Sequence, residues 1–411
     1  MAELKNGFSR FDIVGKVKLT DTSLEDAKLS ASGKWMGVNT RFGIEIDDSG
    51  NSIFVDVNGG YMPSQSMIKK LPRERQETFA MVEIPFADRL EKEMIDKVQY
   101  SDLFSVSGIN SEDRKEAKQF ILANDFLEYL QEHLTDGEEV VVSGTVSYSW
   151  DMYGDSKPVY RNYQVNNIYV NPVVEKEVEG EDGEITKVKQ LKHKRKAEIT
   201  QQYLVTEDTA ETGWEKTLEK EGKVTLPVRV PAYVGKTKNP NGGKWDLEVK
   251  KTIPMPQVIT VSLDGFSGDK KALAKYVKAG FDIKGEDKVR AVTIINTINE
   301  GFETSRGGVT ITKELQDLID NGVLQADDLQ SDLTVRGQRI SELVFSRYKY
   351  RVDEEGKPKA DFDDELYKFS DLVLPSMDTE EFSFPDLTED DDLPFSDAGT
   401  GDDVDFSGLF N

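Results

Sequence analysis

Trp35-Met36-Gly37-Val38-Asn39-Thr40-Arg41-Phe42-Gly43-Ile44-Glu45-Ile46-Asp47-Asp48-Ser49-Gly50-Asn51-Ser52-Ile53-Phe54-Val55-Asp56-Val57 reads as strand, turn and strand. Met36, Val38, Phe42, Ile44 and Ile46 fall on one side of a period-two alternation, and Trp35, Asn39, Arg41 and Glu45 on the other. Such a segment buries one face and wets the other. Asp47 to Asn51 is rich in residues that favour turns, and Ile53, Val55 and Val57 then resume a core face with Phe54, Asp56 and Asn58 outward. The pair is a hairpin whose solvent face carries a Trp, an Arg and a Phe.

Upstream, Phe11, Ile13, Gly15, Val17 and Leu19 alternate with Asp12, Val14, Lys16 and Lys18, which makes a first strand. Downstream, residues 62–137 break the strand pattern. The spacing predicts a short helix over 87–98 and a longer one over 111–134. Ser111 caps the longer helix, Ala117, Phe120, Ile121, Leu127, Leu130 and Leu134 form its apolar stripe, and Gly137 lies past its end. Residues 140–150 and 159–170 are two further strands. Three strands, a helix-containing connection and a closing hairpin are the order of an OB-fold, a five-stranded Greek-key barrel that binds oligonucleotides or oligosaccharides on its middle strands and flanking loops. Residues 8–172 are therefore expected to form an OB-fold domain with a helical insertion.

The outward positions of strands two and three would offer Trp35, Arg41, Phe54 and Tyr61. The last hairpin adds Trp150, Tyr153, Tyr160 and Arg161. Exposed rings beside arginine can stack bases while contacting phosphates, at about 1–3 kcal/mol per stacked base. The competing reading is that several of these rings plug the ends of the barrel.

Residues 173–196 form either a charged linker or an exposed hairpin turning at Glu181 to Glu184, acidic in its first half and basic in its second, where Lys192, Lys194, Arg195 and Lys196 cluster. Residues 197–352 are again strand-rich, with helices expected over 272–279 and 312–321, and are read as a second, more divergent OB-like barrel. A basic loop there carries Lys236, Lys238 and Lys244. The fold class is thus mainly β with helical insertions.

Residues 371–411 contain thirteen Asp and Glu and no Lys or Arg. Apolar surface is too sparse there to offset the entropy of ordering, so a disordered tail is expected. Asp390-Asp391-Asp392-Leu393-Pro394-Phe395 resembles the acidic tip of bacterial single-stranded DNA-binding proteins, where aspartates followed by an aliphatic residue, Pro and Phe dock on replication and repair enzymes. In that family the Phe is the last residue, whereas sixteen residues follow Phe395; Phe406, Leu409 and Phe410 behind a second acidic cluster form an alternative tip. The resemblance implies single-stranded DNA as ligand and replication or recombination enzymes as partners of the tail.

Charge and composition narrow the classes further. The formal charge is -25, and -12 remains on residues 1–370, so nucleic acid would be held by local basic patches and not by a generally basic surface. The chain has no Cys and only two His, which excludes disulfides, thiolate metal sites and cysteine nucleophiles, and no cofactor is expected. No long apolar run or signal-peptide core is present, so the expected location is the cytoplasm, that of the host for a phage-encoded protein, with no membrane partner. Gly235-Lys236-Thr237 is not a phosphate loop, because position 230 is Val where the motif requires Gly. Asp246, Glu248 and Lys250 have the spacing of half a nuclease site and equally that of an exposed strand face. The expected function is a phage-type single-stranded DNA-binding protein of replication, recombination and repair, without catalytic residues. The alternatives are a phage structural or assembly protein, or a nuclease-like enzyme or inhibitor. Oligomeric state stays open at this point.

Overall fold

In the computed structural model of the chain, the described residues are 4–47, 51–74, 81–110, 116–150, 159–179, 185–210, 212–237, 247–264, 266–285, 287–306, 334–353 and 356–372. The first five long strands are β1 (Ser9–Lys18), β2 (Met36–Glu45), β3 (Ser52–Tyr61), β4 (Glu139–Trp150) and β5 (Val159–Val170). β1 pairs antiparallel with both β2 and β4, β2 with β3, and β4 with β5, while β3 meets β5 in parallel at Asp56 and Gln164. The circuit β1-β2-β3-β5-β4-β1 closes, which is OB-fold connectivity. Gly15 marks the point where β1 leaves β4 for β2. A Cβ there would sit 2.2 Å from the Glu45 carbonyl oxygen, so only glycine lets the two backbones meet.

The barrel core follows the sequence alternation: Phe11, Ile13, Phe42, Ile44, Val55, Val57, Val140, Val142 and Tyr163 are all buried. Helix α1 (Ala123–His133) lies between the third and fourth strands and buries Phe126, Leu127 and Leu130 in that core. Each such side chain contributes about 1.5–3 kcal/mol relative to exposure. The helix begins well after Ser111. Lys118–Phe120 is instead a short strand paired with Phe104–Ser107, and Phe120 reaches the core from there, its ring centroid 5.4 Å from that of Tyr129. An apolar spacing shared by strand, turn and helix is indistinguishable in sequence from one long stripe. The expected 87–98 helix contracts to Lys92–Ile95.

Next come β6 (Val173–Glu179) and β7 (Ile185–Leu191), which pair antiparallel in a sheet of two strands. The later strands are β8 (Lys196–Val205), β9 (Lys223–Thr237), β10 (Leu247–Ser262), β11 (Arg290–Arg306) and β12 (Thr334–Tyr348). They repeat the first circuit: β8-β9-β10-β12-β11-β8, with β10 and β12 parallel at Thr260 and Val344. Helix α2 (Trp214–Glu221) precedes β9. Helix α3 (Lys270–Phe281), capped by the Asp269 carboxylate accepting from the Lys271 amide, fills the place that α1 holds in the first barrel. The expected 312–321 helix lies outside the described residues.

β1 and β8, the first strands of the two barrels, pair antiparallel from Ser9 with Gln201 to Val14 with Lys196, so one sheet runs through both. The chain before β1 then bridges β8 and β9. The Gln202 amide donates to the Phe8 carbonyl at 2.9 Å, and the Gly7 amide to the Pro231 carbonyl at 2.7 Å. Each barrel also lends its closing hairpin to the other: Trp150 and Val159 pack in the second core, Ile298 and Leu343 in the first.

Candidate nucleic-acid interface

The register across the first barrel fixes which side chains share its outer surface. Lys18 of β1 lies opposite Gly43 of β2, which lies opposite Phe54 of β3. Gly43 itself is buried, with the Lys18 and Ser52 side chains closing over it, and the row carries a lysine at one end and a ring at the other. Phe54 is 53 % exposed. The adjacent row runs from Arg41 through Asp56, Gln164 and Thr145 to Arg10. Arg41 Nε lies 3.5 Å from Asp56 Oδ1, with the arginine side chain largely exposed and the aspartate nearly covered. Burial raises the Asp56 carboxyl above its ordinary pKa, and the opposing pull of Arg41 only partly offsets this. Arg41 is therefore tethered at one edge while most of its guanidinium faces solvent.

Trp35 sits at the start of β2, half-buried, over the cross-strand glycine pair Gly37 and Gly60. A Cβ on Gly60 would approach the indole to 2.7 Å, so the ring lies across backbone and cannot swing inward. Tyr61 is also half-buried. Its ring packs on Phe86 with centroids 5.0 Å apart, against a satellite core of Ile68, Ile84, Ile95, Val98, Leu103 and Ile121. That contact makes it a packing residue of the insertion.

The β4–β5 hairpin departs most from the sequence expectation. Trp150 is 4 % exposed, packs in the second core, and its carbonyl accepts from Thr237 Oγ1 at 3.2 Å. The expectation of an outward ring fails there because the neighbouring barrel covers that side of the strand. Arg161 is covered in the same way, its side chain 9 % exposed. Its Nη2 donates to Glu300 Oε1 at 3.1 Å and to Ser341 Oγ at 2.7 Å, while Tyr163 Oη donates to the same Glu300 oxygen at 2.7 Å. Tyr148 donates to Gln201 alongside, and Asn296 donates to Tyr203. Burial raises the Tyr163 hydroxyl well above its ordinary pKa against the opposing pull of Arg161, so it stays a donor. This is a buried polar clasp between the barrels. Of the expected hairpin residues only Tyr160 is exposed; Tyr153 lies outside the described residues.

The basic candidates divide similarly. Lys192 and Lys194 are exposed beyond β7, whereas Arg195 is held by Glu139 and Lys196 by Glu198. Lys236 is half-buried and opposite Glu248, which pairs with Lys250 at 2.8 Å; Lys238, Lys244 and Asp246 lie outside the described residues. So do all the tail positions, Asp390 to Phe395, Phe406, Leu409 and Phe410. Among the described residues no group of three or more His, Asp or Glu could hold a metal ion, and no helix is long and apolar enough to cross a membrane.

Two further contributions come from residues that the local sequence pattern does not single out. Lys18 and Arg10 join the outer surface of the first barrel, and the alternation of β1 already assigns Lys18 to the side opposite Val17. The second is long-range: the β11–β12 hairpin crosses to the first barrel, where a Cβ on Gly301 would meet Asn51 Cγ at 2.5 Å, three residues before Phe54. Beyond Gly301 the register carries Arg339, Arg336 and Arg306.

No protein-family profile matches the chain, and no curated protein sequence matches it. Among solved structures, a deletion variant of the single-stranded DNA-binding protein from Thermus aquaticus is similar at 10 % identity and a TM-score of 0.27, covering 72 % of this chain and 88 % of that one. The assignment of both barrels rests on the strand circuits and not on this likeness.

Proposed function

We propose that the chain binds single-stranded DNA on the outer face of β2 and β3. The observation that carries this reading is the exposed Phe54 in line with Lys18 and beside Arg41, on the strand pair that OB-folds use for oligonucleotides. An exposed ring stacks on any base, and cations on either side meet the flanking phosphates, so the grip is indifferent to sequence. Trp35 and Tyr160 extend the aromatic surface. Lys192, Lys194 and Lys236, with the loop lysines Lys238 and Lys244 and Tyr153, supply further contacts along the path.

The acidic segment 371–411 recruits replication or recombination enzymes through Leu393-Pro394-Phe395 or through Phe406, Leu409 and Phe410. Its carboxylates and DNA phosphates seek the same cations, so the tail competes for the groove when DNA is absent. The protein performs no chemistry on the strand. It covers it and delivers partners to it. Titration of the intrinsic Trp fluorescence with oligo-dT at several salt concentrations tests this: quenching with an affinity that falls steeply as salt rises supports it, and an unchanged signal together with no gel shift refutes it.

A further inference from the structure

We infer that the β6–β7 hairpin joins copies of this chain head to tail, each hairpin extending the sheet of the next. Among the described residues β6 and β7 pair only with one another, so both outer edges present open backbone. Val173 is 63 % exposed and Val188 is 45 % exposed. A two-stranded hairpin is marginal alone in water, and an open edge is a template for another strand.

The charges decide which strand it accepts. β6 carries Glu175, Glu177 and Glu179 against one cation, Lys176, while β7 carries Lys187 and Lys189 and no acid. Within the hairpin Glu175 lies opposite Lys189 and Glu177 opposite Lys187. A two-fold contact, β6 on β6 or β7 on β7, would set like charges across the new ladder, which is unfavourable. Pairing β7 of one copy with β6 of the next, in the same antiparallel sense, repeats the internal register and flanks Glu175 and Glu177 with lysines on both sides. Such a contact uses two different surfaces, so it joins copies head to tail instead of as a two-fold dimer. This inference does not rest on the DNA-binding reading, although a head-to-tail series of barrels suits a protein that covers a strand.

The test reverses both strands at once, Glu175→Lys and Glu177→Lys with Lys187→Glu and Lys189→Glu. Intrahairpin pairs and net charge are preserved, so the hairpin itself is not undermined. The chain has no Cys, so a single cysteine introduced at the exposed loop residue Ser32 carries a dye. Two-colour sedimentation of the full chain at low salt is expected to show wild type associating with wild type and reversed with reversed, and at least tenfold weaker association of the mixed pair. Mixed association stronger than like-with-like would mean a two-fold contact, and absence of association in every combination would mean no contact; either overturns the inference. Like-with-like assembly that persists in a protein failing to bind oligo-dT would sink the DNA-binding reading and leave this one standing.

Discussion

Replacing Arg161 separates two accounts of the β4–β5 hairpin, because the residue looks like a phosphate ligand in sequence and lies in a buried clasp in the fold. Its Nη2 spans Glu300 and Ser341, its Nε has no hydrogen-bond partner among the described residues, and Tyr163 shares the Glu300 oxygen. Arg161→Ala would leave the Glu300 carboxylate, itself only 18 % exposed, with the tyrosine hydroxyl alone. Removing one member of a buried pair costs about 3–5 kcal/mol. Glu300→Gln keeps an acceptor for Tyr163 and should cost less, about 1–3 kcal/mol. Replacing both, Arg161→Met with Glu300→Leu, removes the desolvation penalty along with the attraction and should cost less than Arg161→Ala alone. Urea unfolding gives the stabilities and oligo-dT titration the affinities. The expected result is a stability loss with affinity unchanged within about twofold, or 0.4 kcal/mol. A stable Arg161→Ala protein that binds oligo-dT more weakly, with a salt slope reduced by about 0.7, would refute the clasp and restore Arg161 as a phosphate contact.

Phe54→Ala should weaken oligo-dT binding by about 5- to 150-fold, the equivalent of one stacked base at 1–3 kcal/mol, with no loss of stability because the ring is exposed. Trp150→Ala should behave oppositely in urea unfolding, destabilising by about 3–5 kcal/mol through the cavity it opens in the second core. Burial raises the Glu198 carboxyl, but Lys196 and Arg347 outweigh it and leave its pKa below the usual value; its contribution to stability is therefore present at neutral pH and lost as pH falls through that lowered pKa. A Glu198→Gln protein should accordingly lose less stability than wild type between pH 6 and pH 3 (about three pH units spanning the carboxylate range) in urea titrations. Deleting residues 371–411 should tighten oligo-dT binding at low salt; equal or weaker binding would argue against competition by the tail.

Strands β1 to β5 were legible from their β-rich runs and the turns between them, and their order led to the expectation of an OB-fold, although β4 opens with three consecutive buried valines and not an alternation. The start of α1 was not legible, since Phe120 and Ile121 continue its apolar spacing while lying on a strand and a turn. The strands of the second barrel were also legible, but its closure rests on pairs such as Thr260 with Val344, which no local pattern encodes. The same limit governs the site. Alternation puts Phe54, Arg41 and Lys18 on one side of the sheet, and among the described residues Phe54 stays 53 % exposed there. It says nothing of whether a second barrel lies against a given side, which is why Trp150 and Arg161 read as exposed and are buried.

The direct test of the account is a photocrosslink. An oligo-dT carrying a single 5-iodo-deoxyuridine joins covalently to an aromatic side chain stacked upon it, and peptide mass mapping then locates the ring. Attachment is expected within β2 and β3, at Phe54 foremost and at Trp35, lost at high salt and at Phe54 in Phe54→Ala. Attachment confined to strands β8 to β12, or none under conditions where a known single-stranded DNA binder crosslinks, would contradict it.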